Sequence, residues 1–329
     1  MDIYIKSFNR AYLLHRTIAS IYHYLNDFDG KIVVLDDGTP QKYLDKIVGL
    51  FPDVQIKKSP YYEQKSNDIS LNKVPEKVIP ANFWRDEVLK GSEYFILLED
   101  DMWFTQSINY KDFTKDVYNS KMDMIKFLWL KNSKLISDKI VQKTKYFNIV
   151  QPKVLTKNPF LFDAIFRTNK FKLGSLLFRF INHKSEILKY YQLYMVAGGV
   201  FSKRYYKNAW ENSVNNVDEL KNISNVLYND INYKLGNTTK EILKTTIKFT
   251  ASAIQKEKFG NLLDVFKFNF ILNEAWYNNQ NVDYLHSTND ISDQWIKNCC
   301  ANTNIKYKVW QQWYNQLKQN YEHMGCNFN

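Results

Sequence analysis

Glycine and proline are scarce in this 329-residue chain, at 10 and 7, and no proline follows Pro159. Nothing beyond that point needs a proline-type break, which leaves room for long helices in the second half. Cysteine is rarer still, with only Cys299, Cys300 and Cys326. An odd number, two of them adjacent, is no disulfide framework, and neither CxxC nor Cys/His zinc spacing occurs. Long hydrophobic runs are missing: a stretch such as Tyr94–Leu98 reaches five residues, far short of the roughly 20 that span a bilayer. The opening MDIYIKSFNRAY lacks the basic, apolar and small-residue order of a secretory signal. These absences predict a reduced, cytoplasmic protein that meets a membrane only peripherally, on its inner face.

What is present excludes disorder, since 45% of residues are hydrophobic and 16% aromatic. The length allows one or two domains with a sizeable core. Lys and Arg outnumber Asp and Glu by 45 to 34, a net charge of +11. More than half of it falls between Lys153 and Lys184, where seven basic residues face the single acid Asp163, a net +6. Large apolar residues such as Phe160, Phe171 and Phe180 interleave with them. That mixture fits either a core-packing helix with a solvated basic face or an element lying on an anionic lipid surface. No nucleic-acid motif accompanies the charge, so a nucleic-acid partner is not expected.

The first hundred residues alternate between strand and helix patterns. Ile3–Ile5 forms a short strand that ends in Ser7-Phe8-Asn9-Arg10, and Leu14, Ile18, Ile21 and Leu25 then recur at helical spacing. The run Ile32–Leu35 has the continuous apolar character of a buried parallel strand, closed by Asp36-Asp37-Gly38-Thr39. A helix is predicted over 42–51, a weak strand over 54–56, a proline-bearing loop over 59–80 and a helix over 83–89. Tyr94–Leu98 is the strongest strand pattern and runs directly into Glu99-Asp100-Asp101. This order implies an α/β fold with a mostly parallel central sheet flanked by helices. Ligands of such sheets bind at the carboxyl ends of the strands, and three of those ends carry polar or acidic clusters. Further strands are expected near Met124–Leu128 and around Gly198-Gly199, and helix over 238–272 and around Trp310–Tyr321. Glycine at 198 and 199 permits close backbone approach to a ligand, or a bulge.

Taken together, IYIKSFNRAYLLHRTIASI, KIVVLDDGTP and EYFILLEDDM resemble the glycosyltransferase family 2 pattern and its GT-A fold over about residues 2–103. The resemblance implies a hexosyltransferase-type enzyme that moves a sugar from a nucleotide-diphosphate donor to a hydroxyl acceptor, with inversion. A glycan or lipid-linked saccharide acceptor, and with it polysaccharide biosynthesis, is the hypothesis that the basic, aromatic window suggests. By that resemblance Ser7, Phe8, Asn9 and Arg10 would line the nucleotide pocket, joined by Asp36 and Asp37, with Asp100 at the ribose or sugar. Asp101 would hold a divalent cation, Mn²⁺ or Mg²⁺, completed by a late histidine, His286. An A-R-N segment usual in the family is replaced here by Ala81-Asn82-Phe83-Trp84-Arg85, where Arg85 would supply the missing positive charge. Gly198 and Gly199 would lie on the acceptor side. Asp230 would take the acceptor's proton, with Asp218 and Glu211 as reserves.

This reading divides the chain into a nucleotide-sugar-binding half at 1–135 and a basic, aromatic insert at 136–190, suited to peripheral contact with an anionic membrane or to the acceptor. An acceptor-side and catalytic part at 191–290 and a helical tail at 291–329 complete it. Two other readings compete. A sugar nucleotidyltransferase would need a glycine-rich loop after the first strand, and Ser7–Ala11 has no glycine. A basic membrane- or nucleic-acid-binding module with an inactive transferase core would not need the intact acidic clusters.

Overall fold

The computed structural model describes residues 1–128, 139–212, 215–229, 232–249, 263–279, 288–301, 303–323 and 325–328. In chain order the elements begin β1 (Asp2–Ser7), α1 (Ala11–Tyr24), β2 (Leu25–Asn26), β3 (Ile32–Asp36), α2 (Gln41–Leu50), β4 (Gln55–Lys58) and α3 (Tyr62–Ser70). There follow α4 (Ala81–Lys90), β5 (Tyr94–Glu99), β6 (Met102–Phe104), β7 (Ile108–Asn109), α5 (Tyr110–Ser120) and β8 (Met124–Leu128). Next come β9 (Lys139–Lys143), β10 (Phe147–Gln151), α6 (Pro159–Phe162), α7 (Leu173–Leu177), α8 (His183–Tyr190), β11 (Gly199–Ser202), α9 (Lys203–Ala209) and α10 (Glu219–Asn229). The last are β12 (Leu235–Glu241), β13 (Leu243–Thr245), α11 (Val265–Tyr277), α12 (Asp293–Cys300) and α13 (Tyr307–His323). The architecture is α/β, with strands in central sheets and helices flanking them.

The chain divides into two compact units. One comprises Ile3–Val78, Leu98–Tyr110 and Ile242–Asn329. Its sheet runs in the order β4-β3-β1, all parallel, with Ile3 opposite Ile32, Ser7 opposite Asp36 and Val34 opposite Ile56. The side chains of β3 are buried on both faces, as its continuous apolar run requires. Helix α1 buries Leu14, Ile18 and Ile21 along one stripe, packing on β6 and α11. A short antiparallel ladder joins β13 to β6.

The other unit comprises Met1–Asp2, Ile79–Leu97 and Lys111–Glu241. Its strand order is β5-β11-β8-β12-β10-β9. Only the β8–β12 pair is parallel there; the other pairs are antiparallel. Buried Asp123 organises this unit by accepting from Arg204 Nη2 at 2.8 Å and from the Lys234 amide at 2.9 Å.

Two predicted elements differ from what is observed. The stretch 59–80 holds helix α3, which its polar composition concealed: Lys65 and Ser66 are buried although their types favour the surface. The stretch 238–272 was expected to be helical, yet it contains the end of β12 and all of β13, and its described helix begins only at Val265. Mixed apolar spacing cannot tell a buried strand from a helix, and pairing with β10 and β8 decides the matter for β12.

Candidate functional site

Three strand ends meet within the first of these units. The Asp37 amide donates to the Ser7 carbonyl at 3.0 Å, and the Asp100 amide donates to the Lys6 carbonyl at 3.0 Å. Parallel strands point the same way, so β1, β3 and the segment after β5 deliver Ser7–Arg10, Asp36–Thr39 and Glu99–Asp101 to one edge. The Phe8 amide donates to Asp100 Oδ2 at 3.1 Å, fixing the first loop against the third.

Each cluster is held by its own local chemistry. Asp36 is fully buried, and its Oδ1 accepts from the amides of Gly38 at 2.9 Å and Thr39 at 2.8 Å, while Oδ2 accepts from Thr39 Oγ1 at 2.6 Å. Both oxygens therefore serve the turn itself. Burial pushes this carboxyl up to about 6, with the Thr39 and Gly38 hydrogen bonds opposing. Gly38 adopts φ +138°, and a Cβ there would sit 2.6 Å from Lys65 Cβ, so only glycine fits. Asp37 accepts from Ser59 Oγ at 2.5 Å and pairs with Lys65 Nζ at 2.5 Å. Burial raises its pKa, with Lys65 and Ser59 opposing. Lys65 Nζ also lies 5.4 Å from the Phe8 ring, and Phe8 meets Phe266 edge-on at 6.0 Å. This leaves a half-buried aromatic ring beside a cation, a surface suited to a flat, electron-rich ring.

Asn9 takes the left-handed conformation at φ 54°. Its amide donates to Thr39 Oγ1 at 2.9 Å, and Asn273 Nδ2 of α11 donates to both its carbonyl and its Oδ1 at 3.0 Å. Arg10 follows, only 15% exposed, with Nη2 2.5 Å from Asp100 Oδ1 and Nη1 2.7 Å from Asp101 Oδ2. Glu99 pairs separately with Lys6 at 3.1 Å. Three carboxylates thus face two cations. Burial pushes Asp100 up to about 7, against Arg10, with Asp101 adding to the rise. Burial likewise raises Asp101, while Arg10 opposes. For Glu99 burial acts in the same sense, but the charges of Lys6 and Arg10 outweigh it and hold the group below its ordinary value. The Arg10 guanidinium is locked in its charged form: burial works against it, and Asp100 and Asp101 prevail.

The donor set suits a hard divalent cation. Such ions are commonly held by one or two carboxylates plus substrate phosphates. Asp101 Oδ1 is buried and accepts no hydrogen bond from another described residue, so it keeps lone pairs for a metal. Among the described residues no group of three or more His, Cys, Asp or Glu is arranged to hold an ion. Further ligands would come from substrate or from residues outside that set.

The remaining predicted residues are placed as follows. Arg85, in the other unit, pairs with Asp86 at 2.8 Å and donates to the Trp210 carbonyl at 3.5 Å. Gly198 and Gly199 lie in that unit too: Gly198 has φ 88°, and a Cβ on Gly199 would sit 2.2 Å from the Ile125 carbonyl oxygen, so close strand packing accounts for Gly199. Asp230 and His286 lie outside the described residues. Of the reserves, Asp218 accepts from the Lys221 amide at 2.9 Å and Glu211 accepts from Asn229 Nδ2 at 3.0 Å. Three supporting residues carried no motif: Lys65, Ser59 and Asn273. Two asparagines four apart in the apolar helix α11, Asn269 and Asn273, are the one pattern that could have revealed a buried polar clamp.

No family model matches the sequence, and no curated protein matches it. Solved structures resemble the chain at low identity. S. aureus TarS 1–349 in complex with UDP is 9% identical with a TM-score of 0.44, over 98% of this chain and 72% of that one. A longer S. aureus TarS structure is 10% identical with a TM-score of 0.42, and the match spans only 44% of its length. Glucosyl-3-phosphoglycerate synthase from Mycobacterium tuberculosis, in complex with Mg²⁺ and UDP, is 11% identical with a TM-score of 0.31, over 63% of this chain and 57% of that one. Likeness this distant transfers no activity, so the functional reading rests on the strand-end residues themselves.

Proposed function

We propose that the chain is a nucleotide-sugar-dependent glycosyltransferase of GT-A architecture, moving a hexosyl group from a nucleoside diphosphate to an acceptor hydroxyl. The observation that supports it is the meeting of Ser7–Arg10, Asp36–Thr39 and Glu99–Asp101 at one edge, where Asp101 Oδ1 accepts no hydrogen bond from another described residue. In this reading Phe8, flanked by Lys65, takes the nucleobase, and Ser7, Asn9, Asp36 and Asp37 shape the nucleoside pocket. Arg10 and Asp100 face the ribose, sugar and diphosphate. Asp101, with Asp100, would hold Mn²⁺ or Mg²⁺, which supplies charge neutralisation as the diphosphate departs. Arg10 would then share these carboxylates with the ion.

The acceptor proton needs a base, and Asp230 is that base in an inverting, single-displacement reading. The acceptor is a glycan or lipid-linked saccharide, with Gly198 and Gly199 on its side and His286 joining the metal. A donor screen with Mn²⁺, reading nucleoside diphosphate release, tests the proposal. Asp101→Ala should stay folded and lose turnover by at least about a hundredfold. A folded variant with full activity would overturn the metal assignment.

A further inference from the structure

The basic window of the second unit is not one long helix. It is broken into α6, a π turn (Asp163–Arg167), a 3₁₀ turn (Lys170–Lys172) and α7, which pack on one another. The inner side of this assembly is an aromatic cluster. Phe166 lies 5.2 Å from Phe162, 5.0 Å from Tyr190 and 5.6 Å from Phe178 between ring centroids. Phe162 and Tyr190 are wholly buried there. With its core already filled, the window still turns apolar groups outward.

Phe160, Phe171 and Phe180 are 70%, 85% and 82% exposed, and Leu161, Leu173 and Leu176 are exposed with them. No other phenylalanine among the described residues is exposed. The backbone contributes to this display: Asn169, Phe171 and Lys172 all take φ between 48° and 58°. Left-handed φ is uncommon for a bulky residue, and three such residues within four hold the Phe171 ring away from the cluster beneath. Around these rings stand Lys170, Lys172 and Arg179, all exposed and without an ion pair among the described residues. The only acid of the window, Asp163, is already paired with Arg167 at 3.1 Å.

We propose that this outer face, spanning Leu155 to Phe180, is a peripheral docking surface for an anionic lipid bilayer. Apolar side chains enter the acyl boundary while the surrounding cations meet anionic headgroups, the pairing an interfacial element requires. A second copy of the chain fits less well, because a twofold contact would set Lys170, Lys172 and Arg179 against themselves. Single-stranded nucleic acid fits less well too, because stacking uses rings and leaves Leu161, Leu173 and Leu176 without a role.

The test is flotation of the full chain with vesicles of phosphatidylcholine, alone or with a third of phosphatidylglycerol. Binding is expected to the anionic vesicles at low salt and to fall steeply as salt rises. Phe171→Ser with Phe180→Ser changes only exposed side chains and should keep the circular dichroism of the parent while weakening binding roughly tenfold or more. The emission of Phe171→Trp less that of the parent, which carries the eight native tryptophans, should shift to the blue on adding anionic vesicles. No binding to anionic vesicles, equal binding by the double-serine variant, or an unmoved difference emission would each overturn the proposal. So would self-association or single-stranded DNA binding found in place of vesicle binding. Vesicle binding and diphosphate release are independent measurements, so failure of the transferase reading leaves this result readable.

Discussion

Asp36 illustrates how burial and hydrogen bonding compete at one residue. Its carboxylate accepts two amides and a hydroxyl, which favours the charged form, yet complete burial still lifts it to about 6. The ordinary value is 3.8, so between about pH 4 and 6 the folded chain holds a proton that the unfolded chain has released. The stabilisation this group gives is complete below that range and is lost as pH rises through 6. The loss is at most roughly 3 kcal/mol for a shift of about two units. Asp36→Asn keeps an acceptor for the amides and a donor for Thr39 Oγ1 but cannot titrate. Urea unfolding of the variant should therefore change less between pH 4 and 7 than that of the parent. Parallel pH profiles would show that Asp36 does not carry the proton. Two adjacent aspartates were legible in the sequence as a strand-end cluster. That one of them serves its own turn while the other meets Lys65 was not, because the partner arrives from α3, a helix whose polar composition reads as loop.

At the scale of elements, α11 acts as a clamp. It comes late in the chain, yet Asn273 reaches the Asn9 carbonyl and side chain with no exposure to solvent. Removing it strands two buried acceptors, which costs about 2–3 kcal/mol. Asn273→Ala should lower the urea midpoint accordingly, and a change below about 0.5 kcal/mol would show that water replaces the amide. The parallel strand β3 was readable because an apolar run closed by acidic residues has few other homes in an α/β chain, and β1 because its short apolar run ends in a polar cluster before a helical pattern. β12 was not. Its buried Asn237 and Thr238 break the apolar pattern, and its identity as a strand comes from the ladders to β10 and β8 rather than from its own residues.

At the scale of the whole molecule, scarcity of cysteine proves informative in a second way. Cys299, Cys300 and Cys326 are all buried, and no disulfide joins them among the described residues. Burial pushes Cys299 up to about 12 and Cys300 to about 11, so neither is a thiolate near neutrality. A thiol reagent should label almost nothing in the native protein and three groups after unfolding, and reductant should leave the melting temperature unchanged. Fast labelling of the folded chain would contradict this burial. The sequence by itself determined the α/β class, the positions of the three strand-end clusters, the absence of disulfides and the concentration of positive charge in one window. Those properties follow from local residue types and their spacing, which need no knowledge of distant partners. Tertiary structure alone decided that Arg10 bridges Asp100 and Asp101, that Lys65 and Asn273 support the site, and that Phe160, Phe171 and Phe180 face outward while Phe162 and Phe166 face in. Each of these depends on segments far apart in the chain or on backbone turns that spacing does not encode, so only folding brings them into view.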